Sequence, residues 1–242
     1  MPRRLHPVFV PKSLRYREAA YSAIKEAILL GQFEPGQALV EEQIAEALMI
    51  SRTPVREALA LLEHEKLIAP RAGRGLYVRA LTREEFVAMF VANETVEPFL
   101  IRHAALLATG AQLEAIEAAI ERGKQSAAAV DIAGSLRSGR DFHRLVGEAS
   151  GNAPLTQFVA RNEERTDLYL LSYAKVIDVP GMNASNREHE AIFNAVARRD
   201  PEAAARLVIY HSQSVRERLS ALFTSEWQHT AAPPAPAFAP VG

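Results

Sequence analysis

Along most of this chain, apolar residues recur every three to four positions, the rhythm of helices with one buried face. Tyr21, Ile24, Ala27, Ile28 and Leu29 follow a basic stretch from Arg15 to Arg17, and Gly31 suits the end of that first helix. Phe33-Glu34-Pro35-Gly36 reads as a turn, because proline presets φ and glycine accepts a positive one. A short second helix is expected over roughly 41–48, with Ile44, Ala45 and Leu48 inward, and Met49-Ile50-Ser51 is a tight turn. A third helix follows over about 53–65, with Thr53 as its cap and Pro54 in its first turn, where a missing N–H costs nothing. Val55, Leu59 and Leu62 form its apolar face, with Ala58 and Leu61 beside them. Residues 67–70 and 76–78 then read as two short strands around Arg71-Ala72-Gly73-Arg74-Gly75. Three helices plus a two-stranded wing make a winged helix-turn-helix.

The rhythm changes character near residue 81. Thr82 followed by Glu85 is a capping box, and Ala, Leu, Glu and Arg dominate from there with helical periods throughout. Helices are expected near 82–108, 110–128, 131–150, 153–176, 183–198 and 200–224, with breaks at Gly110, Ser150-Gly151-Asn152 and Pro180-Gly181 and a clear start at Asp200-Pro201. No strand-like alternation interrupts them, so the second domain reads as an antiparallel all-α bundle. The expected division is a flexible basic arm over 1–14, a winged helix-turn-helix domain over 15–80, a helical domain over 81–226, and a disordered Pro-Ala tail over 227–242.

Composition narrows the class. The chain has 242 residues, 48% of them hydrophobic, enough for two cores, and no cysteine, which excludes a disulfide framework and a thiolate metal site. No run of about 18 apolar residues suggests a membrane span. Pro and Arg interrupt any signal core at the start, so a cytoplasmic protein is expected. The net charge of −1 hides an asymmetry: residues 1–80 hold 12 Lys and Arg against 9 acids, a charge of +3, and the remainder carries −4. A basic head on an acidic body fits a nucleic-acid-binding domain joined to one with another task.

Ser51-Arg52-Thr53-Pro54-Val55-Arg56-Glu57-Ala58-Leu59 carries the chemistry of the head. Arg52 and Arg56 lie four apart, one helical turn, at a helix N-terminus whose backbone N–H groups also favour anions. Two guanidinium forks there suit phosphates and guanine edges in a DNA major groove. In the body, His143, His189 and His211 sit on three different helices, each beside apolar positions that face a bundle core. Bundles build metal sites from side chains on facing helices, and neutral imidazoles suit zinc or nickel, although such long spacings equally fit core histidines bonded to carbonyls.

Residues 16–79 resemble the N-terminal domain of the GntR superfamily of transcription regulators through Pro35-Gly36, Glu42 to Leu48, the Ser51 to Leu59 run, Leu62-Glu63 and Gly73-Arg74-Gly75. The resemblance implies that Arg52 and Arg56 touch DNA, Ser51 and Thr53 meet phosphates and the wing near Arg74 enters the minor groove. Val40 stands where such proteins often carry a Ser or Thr cap before the second helix. Residues 82–224 resemble the FCD ligand-binding domain of the FadR subfamily through Glu97-Pro98, Phe142-His143-Arg144-Leu145, Ala149-Ser150-Gly151-Asn152, Glu188-His189 with Ile192, Asp200 to Ala204, and His211. The expected architecture is mainly α, a winged helix-turn-helix followed by an FCD-like bundle. Members of this subfamily often hold a divalent metal on one Asp and three His, with a small organic acid beside it. The histidines map onto His143, His189 and His211; Asn93, Glu97 and Asn152 are the implied effector-binding residues.

Two positions depart from that pattern. Gly139 stands where the Asp ligand is expected, one turn before His143, and Asp141, two residues before His143, points almost the other way on an intact helix. Asn93 stands where an Arg commonly faces the effector carboxylate. Either a metal remains on three imidazoles with water or effector oxygens, or it has been lost. The expected function is a ligand-responsive regulator, commonly a repressor in this family, that binds a palindromic double-stranded DNA operator as a homodimer and responds to a small metabolite. The alternative is a constitutive DNA-binding protein with an inert dimerisation bundle. An enzyme is not expected, since no carboxylate or other base stands out beside the histidines and a DNA-binding head is superfluous to catalysis.

Overall fold

The computed structural model describes residues 12–71, 75–172 and 177–219 of the chain. Most of the basic arm, Arg74 at the wing tip and the tail from 227 onward lie outside the described residues. The chain divides into two compact units, Met1–Ala80 and Leu81–Gly242.

The first unit holds α1 (Lys12–Leu29), β1 (Ala38–Leu39), α2 (Glu41–Ala47), α3 (Arg52–His64), β2 (Ile68–Arg71) and β3 (Gly75–Val78). Helix α1 begins three residues inside the segment assigned to the arm. Val55, Ala58, Leu59 and Leu62 of α3 are fully buried, as are Ile24 and Ile28 of α1, Leu67 just before β2 and Ile68 at its start. Glu65 ties α3 to α1, accepting from Tyr21 Oη at 2.6 Å and from Lys25 Nζ at 2.9 Å.

Three details differ from the sequence reading. The wing is a three-stranded sheet in the order β1-β3-β2, not a two-stranded hairpin. The turn at Gly36, with φ 84°, folds the chain back so that Gly36 N donates to the Val78 carbonyl and Val78 N to that of Gln37. A two-residue strand shows no alternation and owes its existence to this turn. The cap of α3 is Ser51, not Thr53, and it makes no side-chain cap bond; Val40 likewise caps α2 without one. Leu61, read as flanking the apolar face, is 41% exposed.

The second unit is a bundle of α4 (Arg83–Leu107), α5 (Gly110–Ala128), α6 (Ile132–Ala149), α7 (Ala153–Ser172), α8 (Val179–Ala197) and α9 (Pro201–Arg218). Side-chain caps set most of the starts: Thr82 with Glu85 and Thr109 with Gln112 form complete capping boxes, and Asp131, Asp178 and Asp200 each accept from a backbone N–H of the first turn. Asp178 corrects one boundary. Pro180 and Gly181 read as a break, yet Asp178 caps α8 and Pro180 sits in its opening turn, where proline needs no N–H partner. A core of Ile101, Ile116, Phe142, Ile192 and Val208 with many alanines joins α4, α5, α6, α8 and α9. Among the described residues, no helix is long and apolar enough to cross a membrane.

Helix α6 packs closely on α7 because Gly147 has no side chain. A Cβ there would lie 2.8 Å from Thr156 Cγ2 and 3.2 Å from Thr156 Cβ, and Thr156 is itself buried. Gly147→Ala should therefore destabilise the protein by about 1–2 kcal/mol in urea unfolding, despite the better helix propensity of alanine. An unchanged or raised midpoint would show that the helices part without cost.

Candidate functional site

In the first unit, Ser51, Arg52, Thr53 and Arg56 are all exposed at the opening of α3. The Arg52 and Arg56 side chains are 58% and 66% exposed, so both guanidinium groups are open to solvent. They share one partner, Glu41 of α2. Arg56 Nε and Nη2 reach its two carboxylate oxygens at 3.0 and 2.8 Å, and Arg52 Nη2 lies 3.6 Å away. The hydrogen bond from Arg56 leads the causes that hold the Glu41 carboxyl below its usual range. On the wing, the Arg71 guanidinium stacks 4.6 Å above the Tyr77 ring. This arrangement is a cationic surface with an internal counter-charge.

In the second unit, a cavity of about 440 Å³ is lined by residues of α4, α6, α7, α8 and α9 and by Ile177 and Asp178 ahead of α8. His143 of α6, His189 of α8 and His211 of α9 meet in it, with one ligating atom from each lying within 4.8 Å of the others. Helical phase explains the meeting. Phe142 is buried in the core and His143, one residue on, faces the cavity, while the Phe142 ring stacks on His189 at 4.2 Å between centroids.

Carboxylates stand behind two of the imidazoles. His211 Nδ1 donates to Glu188 Oε2 at 2.7 Å, and His143 Nδ1 lies 2.5 Å from Glu97 Oε1. A carboxylate only accepts, so the Nδ1–H of His211 is fixed and its Nε2 is left as an acceptor, open to a proton of His189 or to a cation. That Nε2 lies 3.3 Å from His189 Nε2. Two nitrogens bound tetrahedrally to zinc, each at 2.0–2.1 Å, would be about 3.3–3.4 Å apart. The donor set and its carboxylate backing therefore fit a divalent cation. Burial, aided by the neighbouring imidazoles, pushes His189 and His211 down, which keeps them neutral and able to coordinate. Burial opposes charge on His143 as well, but Glu97 overcomes it and raises the group to about 9. Burial of Glu188 is outweighed by hydrogen bonds from His211, Arg218 and Ser214, which lower it to about 2.

The remaining assignments divide. Gly139 lines the cavity, and a Cβ there would sit 3.7 Å from His189 Cε1, so the position does face the histidines. Asp141 turns away to Arg122 and Arg144. Asn93 and Glu97 of α4 line the cavity and are buried. Asn152 does not line it. Its carboxamide accepts from Leu155 N at 3.2 Å at the start of α7, so the residue shapes a helix end and is corrected from effector contact to cap.

Sequence reasoning missed Glu163 and Asp167 of α7 and Arg140 of α6, which also line the cavity, and missed that Glu97 and Glu188 stand beside His143 and His211. Asn162, Glu163, Thr166 and Asp167 recur at helical spacing on one face of α7, a polar stripe that reads as solvated until its burial is seen. Burial raises Asp167 to about 7 although Arg140 pairs with it. Glu163 is also raised by burial, with Glu97 adding to the effect.

Comparisons with known proteins agree on both units. Residues 16–78 match the family described as bacterial regulatory proteins, gntR family, and residues 88–214 match the FCD domain. The HTH-type transcriptional repressor NanR of Klebsiella aerogenes is 31% identical over 231 residues, spanning 86% of this chain and 87% of its own. The HTH-type transcriptional regulator YdhC of Bacillus subtilis is 26% identical over 201 residues, spanning 79% and 85%. The solved structure of E. coli McbR/YncC shares the fold, with a TM-score of 0.74 at 18% identity over 89% of this chain and 98% of that one.

Glu41 places a negative charge beside both exposed guanidinium groups. Glu41→Gln should raise affinity for non-operator duplex about two- to fivefold at low salt, measured by fluorescence anisotropy. An unchanged affinity would mean that the carboxylate lies off the DNA-facing surface.

Proposed function

Because the chain belongs to the GntR family of bacterial regulatory proteins, in the branch that carries an FCD domain, we propose that it is a cytoplasmic repressor that binds a palindromic operator as a homodimer and responds to a small organic acid entering the cavity beside its three histidines. The family and the relatives are transcription regulators, not enzymes. The observation that carries the effector reading is the 440 Å³ cavity into which His143, His189 and His211 converge. An inert dimerisation bundle has no use for such a space.

In this reading Arg52 and Arg56 contact base edges and phosphates from the start of α3, Ser51 and Thr53 contact phosphates, and Arg74 follows in the minor groove. Two such helices in a dimer read half-sites about 34–36 Å apart. Val91, Phe99 and Leu106, exposed on one side of α4, supply apolar surface for self-pairing. His143, His189 and His211 would hold a divalent cation such as zinc or nickel, which supplies Lewis-acid attraction for an effector oxygen. Glu97 and Glu188 orient His143 and His211 for that task. Asn93 and Glu97 reach the cavity from α4, and His211, Ser212 and Arg218 from α9. A ligand gripped by both helices favours one arrangement of α4 over another, and α4 follows directly on the wing in the chain. Regulation is then a population shift limited by the effector's differential affinity for the two states.

Arg52→Ala should weaken specific operator binding by about 1–3 kcal/mol per half-site in gel-shift titration and leave ligand-induced stabilisation intact. Operator affinity that survives this change would refute the contact. Zinc or nickel at a hundred times its Kd should raise Tm by about 5–10 °C in metal-stripped protein. His189→Ala and His211→Ala should abolish that rise, whereas a rise that persists in both variants would place the cation elsewhere.

A further inference from the structure

The cavity carries more acid than its arginines neutralise. Of the acids that line it, Asp167 pairs with Arg140 and Glu94 with Arg216, while Asp178 is exposed and caps α8. Glu97 and Glu163 have no Lys or Arg ion-pair partner among the described residues. Glu97 faces His143, and Glu163 receives a hydrogen bond from the neutral Asn93 Nδ2 at 2.6 Å. Asn93 is itself held, accepting at Oδ1 from Asn162 Nδ2 at 3.1 Å. One of the two N–H donors of this carboxamide is thus engaged with an acidic wall, which leaves a single neutral donor where the fork of an arginine is expected. Glu163 keeps partial exposure, and the space it lines is this cavity.

Charge balance then constrains the ligand. Glu97 and Glu163 already stand in this wall with no Lys or Arg of the described residues against them, and an acid entering alone adds a further negative charge beside them. Excess charge in a site of low dielectric is costly, and a hydroxyl on the ligand donates a hydrogen bond without removing it. An ammonium removes the charge and brings three donors.

We propose that the effector is a small carboxylic acid that also bears an ammonium group, its carboxylate directed to the histidine cluster and its ammonium to Glu163 and Glu97. This rests on the reading above that a small organic acid enters the cavity, and it names the second functional group that acid must carry.

The test uses the full chain loaded with zinc and three matched sets of ligands: propionate, lactate and alanine; succinate, malate and aspartate; glutarate, 2-hydroxyglutarate and glutamate. Both enantiomers of each chiral member are included, with binding read by calorimetry and thermal shift. In any set that binds, the amino member should be at least about tenfold tighter than its two partners, or about 1.4 kcal/mol. Equal or tighter binding of the hydroxy or unsubstituted acid overturns the ammonium assignment and leaves the organic-acid reading standing. Binding by no member of any set overturns both. Glu163→Gln should shrink the amino preference, and Asn93→Arg, which supplies the missing cation from the protein, should reverse it. A preference undiminished in both variants also overturns the proposal.

Discussion

Phe142 and His143 are neighbours in sequence, and the difference in their surroundings organises the second unit. Successive helical side chains are rotated by about 100°, so a helix that buries one at the core turns the next along its flank. Phe142 enters the core with Ile101, Ile116, Ile192 and Val208 and stacks on the ring of His189. That stack fixes the phase of α6 against α8, and with it the direction of His143. The apolar core and the polar cavity are two sides of one packing solution. A slip of one residue in α6 would bury an imidazole among aliphatic side chains and expose a phenyl ring. Small residues permit the close approach: Gly139 faces His189 across the cavity, and Gly147 lets α6 lie against Thr156 of α7.

Most of the architecture was legible because it rests on periodicity and local chemistry. The apolar face of α3, the capping box at Thr82 and Glu85, and the Asp200-Pro201 start are all local signals, and each appears in the structure. What failed depended on distant contacts. Strand β1 exists because the Gly36 turn returns it to β3, and Pro180-Gly181 opens a helix because Asp178 is placed to cap it. The candidate site divides in the same way. Histidines on three helices could be singled out, but only packing shows that His189 and His211 present their Nε2 atoms to each other. Glu163 and Asp167 escaped notice because acids on an Arg- and Glu-rich helix look solvated, and nothing local reveals that this stripe lines a cavity.

The head follows a different economy. Its charge excess is small, so its cationic surface depends on placement rather than on number. Glu41 reaches both Arg52 and Arg56 and restrains two long side chains that would otherwise sample many rotamers. In the proposed reading, such a counter-ion lowers the entropy lost when the forks meet DNA and weakens their pull on phosphates that lack the right geometry. The turn between α2 and α3 carries its own cost. Met49, 91% exposed, adopts a φ of 53°, a region that disfavours side chains bearing a Cβ, so the turn is held by the packing of the two helices and not by its own preference.

The two departures in the cavity are best understood together. An Asp at position 139 would place negative charge among the imidazoles, and an Arg at position 93 would place positive charge on the α4 wall. Glycine and asparagine remove one of each, so the net charge of the cavity is unchanged while its polarity is reversed. The histidine cluster is left without an anionic ligand from its own helix, and the wall built by α4 and α7 is left with Glu97 and Glu163 unmatched by any arginine among the described residues. A ligand entering such a field is oriented by it, negative end to the imidazoles and positive end to the wall. Orientation of that kind needs no additional contacts, because it follows from where the protein has already paid to bury its charges.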